Sequence, residues 1–302
     1  MPIKITNMKI VNIKGGLGNQ MFQYAFACKL KRLYPNEKIL LDLTDFKGYG
    51  WHVYELKYVF DVQIPIANPL QICRFRAPFS NNDKRSVYLR KILNHFLKRN
   101  NYEEKESDFF SFNSIPYGID RSCYYNGYWC NEGYFSDITD EIRKVFSFER
   151  PLSDNNKNVK GKIENCNSVS IHVRRGNYLL FDEYKDICER PYYEKAIQYI
   201  KEHVENPHFF VFSNDIQWCK DNLQDLMDNC TFVENNDPKT NYVDMQLMSC
   251  CKHNIIAHST FSWWGAWLNQ NTEKIVVAPS IWNNNLRESG PQLEDWVLLN
   301  ND

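Results

Sequence analysis

Between residues 168 and 278, short apolar runs alternate with helix-patterned segments, and this restricts the chain more than any other feature. Residues 168–173, 208–213, 231–234, 254–258 and 274–278 read as strands; 191–203, 215–226, 241–251 and 261–268 read as the helices between them. A helix crossing over between successive strands makes them run parallel, which predicts a doubly wound sheet. Ligands of such sheets sit outside the carboxyl ends of the strands.

The first half opens the same way. A strand over 8–13 leads into Lys14-Gly15-Gly16-Leu17-Gly18-Asn19-Gln20, then an apolar-rich helix over 21–33 closed by Pro35, then a strand over 38–43. From 61 to 116 the pattern degrades around Pro65, Pro69 and Pro78, before a basic amphipathic helix over 87–99. The Pro, Gly and polar cluster of 149–167 reads as a linker. With 302 residues, the chain is expected to form two α/β domains, 1–150 and 151–302.

A formal net charge of -1 argues against a protein that coats nucleic acid. No run of 18 apolar residues could cross a membrane, and the first twelve residues lack the apolar core of a secretory signal. The sequence therefore predicts a cytosolic chain whose ten cysteines stay reduced; none forms a Cys-x-x-Cys pair. Residues 74–99 carry eight Lys/Arg against Asp83 alone, a solvated face or a patch for peripheral contact with an anionic membrane. Aromatic residues make up 15% of the chain, which suits either stacking on sugar rings or the filling of a core.

Three segments place polar side chains at the carboxyl ends of predicted strands. In His172-Val173-Arg174-Arg175-Gly176-Asn177-Tyr178, strand alternation puts His172 and Arg174 on one face and Arg175 on the other. An arginine fork there suits a diphosphate, or else pairs with acids such as Asp182 or Glu183. Ser213-Asn214-Asp215 can bond a ribose or base, or cap the next helix. The third is His258-Ser259-Thr260-Phe261-Ser262-Trp263-Trp264-Gly265, preceded by Asp244 on a helix. It opens a helix whose first N–H groups form an anion site, or is an ordinary cap with a tryptophan core behind it.

The N-terminal loop, Gly16 to Gln20, resembles a dinucleotide fingerprint with Asp42 spaced for a ribose hydroxyl, as in an NAD-linked oxidoreductase. Met21 stands where that motif needs a small residue. The loop could instead admit a sugar acceptor against its backbone, and the aromatics alone would fit a non-catalytic sugar-binding protein. No Asp-x-Asp or His-Glu-x-x-His occurs, so no metal or cofactor is expected.

Taken in order, residues 15–25, 172–178, 212–215 and 258–265 resemble glycosyltransferase family 11, the bacterial α1,2-fucosyltransferases. The resemblance implies a GT-B fold: two Rossmann-like domains facing a cleft, the C-terminal one a doubly wound parallel sheet that binds GDP-β-L-fucose. It implies inverting, metal-independent transfer to the 2-OH of a terminal β-galactose. Arg174 would stabilise the departing diphosphate, with Asn19 near the reacting sugar. His172, Arg175, Asn177, Ser213, Asp215, Asp244, Ser259, Thr260, Phe261 and Ser262 would surround the donor; Gly16, Gly18, Gln20 and Asp42 would lie on the acceptor side. Family members often carry Asp where Asn177 stands, and an amide accepts no proton. Asp42 and Glu55 are the carboxylates left as candidate bases.

Overall fold

A computed structural model describes residues 7–46, 52–75, 100–237, 239–286 and 290–300. The chain divides into two compact units, Met1–Ser147 and Phe148–Asp302.

The first unit is built on four parallel strands in the order β2-β1-β4-β3: β1 (Met8–Asn12), β2 (Lys38–Asp42), β3 (Asn101–Glu103) and β4 (Cys123–Asn126). The helix α1 (Leu17–Leu33) returns from β1 to β2. It begins four residues before the expected start, so Leu17 to Gln20 form its first turn rather than a loop. Gly15 permits this, turning the chain at φ +77°, where a Cβ would lie 2.7 Å from Asn19 Nδ2. Met21 is fully buried in α1. Shorter helices α2 (Leu56–Val59), α3 (Pro69–Cys73) and α4 (Thr139–Val145) follow. The expected basic helix over 87–99 lies outside the described residues. β3 and β4 fall in and just beyond the stretch where the sequence pattern degraded. They hold together because Tyr102 of β3 and Tyr125 of β4 both pack on Trp129, which stacks on Phe26 at 4.2 Å and meets Tyr134 edge-on.

The second unit holds six parallel strands in the order β10-β9-β8-β5-β6-β7: β5 (Asn167–Val173), β6 (Pro207–Ser213), β7 (Cys230–Phe232), β8 (His253–Ile255), β9 (Val276–Pro279) and β10 (Val297–Leu299). Read from β5, the chain winds outward through β6 and β7, returns to the other side of β5, and winds outward again. Its order reverses between β5 and β8, so the ligand crevice of this doubly wound sheet lies at their carboxyl ends. The expected linker is a correction: Asp154–Glu164 forms α5, capped by Ser153 and buried through Asn156, Val159 and Ile163. The remaining helices are α6 (Arg190–His203), α7 (Ile216–Leu223), α8 (Tyr242–Cys250) and α9 (Thr260–Leu268).

β5 is two-faced. Val169, Ile171 and Val173 pack into a core with Tyr192, Ala196 and Ile200 of α6, while Ser168, Ser170 and His172 are the buried polar residues that alternate with them. Trp263, Trp264 and Trp267 of α9 are at most 1% exposed, so these aromatics fill a core and present no face to a sugar. All ten cysteines are free thiols. No helix among the described residues is long and apolar enough to cross a membrane.

Candidate functional site

The crevice between β5 and β8 gathers the polar segments that the sequence singled out. Past the end of β5, side chains keep alternating. Arg174 continues the His172 face, and its guanidinium donates to Asn177 Oδ1 (3.1 Å) and lies 5.2 Å from the Tyr178 ring. The His172 ring sits 5.6 Å from Phe261 at the start of α9. The His258 ring, just past β8, lies 5.1 Å from Tyr178. These contacts bring the Arg174 segment and the amino end of α9 together.

Both imidazoles are held neutral. Burial pushes His172 down to about 3, helped by the charge of Arg174 and then by His258. Burial likewise takes His258 down to about 4, with Arg174 adding to it and the Tyr184 backbone opposing it. His172 Nδ1 and His258 Nε2 are buried with no hydrogen-bond partner, while His258 Nδ1 contacts Cys188 Sγ at 3.2 Å. Such nitrogens suit the polar groups of a bound ligand. Ser259 caps α9 by accepting from Phe261 N at 3.4 Å. Arg174 and that helix start thus supply positive potential at one place, which suits an anion carried by a nucleotide.

Several expected ligand residues are otherwise occupied. Arg175 turns to the opposite face. One of its guanidinium nitrogens donates to both Glu189 oxygens at 2.8 Å, and the group stacks 4.1 Å from the Trp218 ring, with Asp215 at 3.6 Å. Its acids are Glu189 and Asp215, not Asp182 or Glu183. Asp215 also caps α7 through Trp218 N, and Ser213 Oγ accepts from Asp215 N, so both serve the helix cap. Ser262 is fully buried and donates back to the carbonyls of Ala257 and Ser259. Asp244 sits on the first turn of α8, where burial raises its carboxyl to about 7 against the lowering effect of an Asn236 hydrogen bond.

Gly176 is the hinge of this segment. Its φ of +65° is a left-handed conformation, and a Cβ there would lie 2.5 Å from Asn214 Nδ2. The same Asn214 amide accepts from Arg175 N at 2.9 Å. Gly176→Ala is therefore expected to cost roughly 1–3 kcal/mol of stability and to weaken nucleotide binding, checked by urea unfolding and calorimetry. Wild-type unfolding and affinity would show that the turn tolerates a side chain.

In the first unit, Gly16 and Asn19 are partly exposed, but the other three residues expected on the acceptor side are buried. Gln20 is a staple: its amide donates to the carbonyls of Gly15 and Val53 and accepts from Glu55 N. Asp42 is wholly buried and accepts from Tyr124 Oη (2.7 Å) and Thr44 N (2.8 Å). Gly18 is packed inside α1. In this structure the side chains of Gln20 and Asp42 are thus spent on internal hydrogen bonds, and Gly18 faces the interior. Glu55 is partly exposed beside the loop, and burial raises its carboxyl to about 7. Tyr184 and Cys188 were not singled out in the sequence, and Tyr178 and His258 were read only as members of their segments, with no role of their own. Among the described residues, no three His, Cys, Asp or Glu side chains gather as metal ligands would.

Comparison with known proteins matches residues 2–300 to the model of glycosyl transferase family 11. An alpha-1,2-colitosyltransferase of Escherichia coli is 35% identical, covering 96% of this chain and 98% of that protein. The O-antigen biosynthesis glycosyltransferase WbnK of the same species is 32% identical over 95% and 99%. Human galactoside alpha-(1,2)-fucosyltransferase 1 is 24% identical over 88% and 67%. Among solved structures, NodZ alpha-1,6-fucosyltransferase soaked with GDP-fucose superposes with a TM-score of 0.51 at 11% identity, over 87% of this chain and 92% of that one. That likeness and the two parallel sheets give a GT-B fold with two Rossmann-like domains.

Proposed function

Because the chain belongs to glycosyl transferase family 11, we propose that it is an inverting galactoside 2-α-L-fucosyltransferase that uses GDP-β-L-fucose and needs no metal. The observation that carries this reading is the meeting of Arg174, His172 and the amino end of α9 at the strand-order reversal. As the bond from sugar to diphosphate breaks, negative charge gathers on the leaving phosphate oxygens. A guanidinium and a helix start already aimed there stabilise that charge without reorganising. Asn177 orients the guanidinium through its carbonyl, a single hydrogen bond that needs an acceptor oxygen but no proton-accepting carboxylate. The neutral imidazoles of His172 and His258 add no competing positive charge and offer uncharged hydrogen bonds to the nucleotide. Asp244 on α8 meets the guanine base. Gly16 and Asn19 are assigned to the acceptor side, and Glu55 is the remaining candidate for taking the proton of the acceptor hydroxyl.

A second donor is favoured by one finding, the 35% identity to a protein named for colitosyl transfer. The oxidoreductase and non-catalytic readings have no support once family membership and the burial of Asp42 are set beside them.

The test is incubation with GDP-fucose or GDP-colitose and Galβ1,3 or Galβ1,4 disaccharides, with and without EDTA. Fucose should appear in α-linkage on O2 of galactose, at a rate unaffected by the chelator. Colitose transfer with no fucose transfer would reassign the donor, and loss with EDTA restored by Mg²⁺ would overturn metal independence.

A further inference from the structure

Behind Asp244 runs a chain of amides that the reaction as described does not use. Asn236 Nδ2 donates to Asp244 Oδ1 at 2.6 Å, and Asn156 Nδ2 of α5 donates to Asn236 Oδ1 at 2.8 Å. Asn156 is 4% exposed, and its amide also reaches the Ser153 hydroxyl that caps α5. The direction of the chain is fixed from one end. An ionised carboxylate can only accept, so Asn236 must turn its NH₂ toward Asp244, which leaves its carbonyl for the NH₂ of Asn156. Nearby, Asn156 Oδ1 and Asn241 Oδ1, the latter at the start of α8, are buried without a hydrogen-bond partner. The amino end of α8 is therefore rich in acceptors and suits a base edge that presents N–H groups side by side.

We propose that Asn236, oriented by Asn156, is a positioning residue that fixes the Asp244 carboxylate to receive the adjacent N–H donors of a guanine-type base. The inference rests on the reading that Asp244 meets the base. Asn236 occupies one carboxylate oxygen and prevents rotation, so the other is presented in one orientation. It also favours the ionised form, since its hydrogen bond lowers a carboxyl that burial raises to about 7. Among the described residues, no charged group adds to the shift, whose causes are burial and the Asn236 hydrogen bond. On α5, Lys157 pairs with Asp154 and Lys160 with Glu164, while α9 carries no charged residue and α8 none besides Asp244. In the loop before α8, Glu234 is held by Lys220, and Asp237 accepts from Lys239 N and Thr240 N.

The experiment is GDP titration by calorimetry between pH 6 and 9, with ADP as the control base. In the wild type, GDP affinity should fall as pH drops through about 7, because protonation removes an acceptor. Asn236→Ala removes the effect that lowers the carboxyl, so the fall should move to higher pH. Binding should be roughly tenfold weaker at pH 7 and nearly restored at pH 9. Asn156→Ala should move it the same way by less, and it serves if the first variant unfolds. An equal loss at every pH, or none, would overturn the proposal. Asp244→Asn separates the two readings. If it keeps wild-type preference for GDP over ADP, the base reading itself fails; if it loses that preference while both Asn variants match wild type, only the positioning role fails.

Discussion

Arg174→Ala is expected to lower kcat/KM for sugar transfer by about 10²–10³-fold, with unfolding close to that of the wild type. The stability side follows from placement. Arg174 is partly exposed, and its contacts are one amide oxygen of Asn177 and the face of Tyr178, both on its own loop. Truncation leaves no buried charge behind, so the cost should stay near 1 kcal/mol or below. The rate side follows from geometry. A guanidinium delivers two parallel N–H bonds to phosphate oxygens, and Asn177 holds it at one fixed angle. Arg174→Lys keeps the charge but loses both the fork and the partner, so it should recover little of the rate. GDP affinity should fall less than kcat, because the interaction strengthens as charge develops on the leaving group. Full activity in Arg174→Lys would refute the role.

Most of the second unit was legible because its strands are short apolar or alternating runs set between helix-patterned segments, although the edge strand β10 was not read. Both signals survive burial on two faces of a parallel sheet. α5 was hidden because only Asn156, Val159 and Ile163 face inward, a stripe of two apolar residues among charged and amide ones. β3 and β4 were hidden because they are three and four residues long, and their stability comes from aromatic packing across the sequence. The site divides in the same way. Sequence places His172, Arg174 and the start of α9 at strand ends, since that depends on local order alone. It could not tell that Gln20 and Asp42 are consumed internally, because their partners Val53 and Tyr124 lie 33 and 82 residues away. The surroundings of His258 were hidden for the same reason: the rings and thiol that pack on it come from 178–188.

Arg175→Ala should have the reverse signature of its neighbour, a large loss of stability with a smaller loss of rate. Its side chain is only 12% exposed, and it joins Glu189, which precedes α6, to Asp215 and Trp218 at the start of α7. Removing it leaves two carboxylates facing an apolar ring with no cation between them. Glu189 and Asp215 keep partial contact with water, 31% and 40% exposed, so the penalty is less than for a fully buried pair. Adding the lost cation–π contact brings the expected cost to about 2–3 kcal/mol. Urea unfolding should show a lowered midpoint for Arg175→Ala and an intermediate one for Arg175→Lys, which keeps the charge but cannot stack as a plane. Residual kcat at low temperature should exceed that of Arg174→Ala by at least about tenfold, because Arg175 acts on the reaction only through the loop it anchors. An unchanged midpoint with a lost rate would mean that Arg175 meets the donor, and that the ion pair opens when the nucleotide binds.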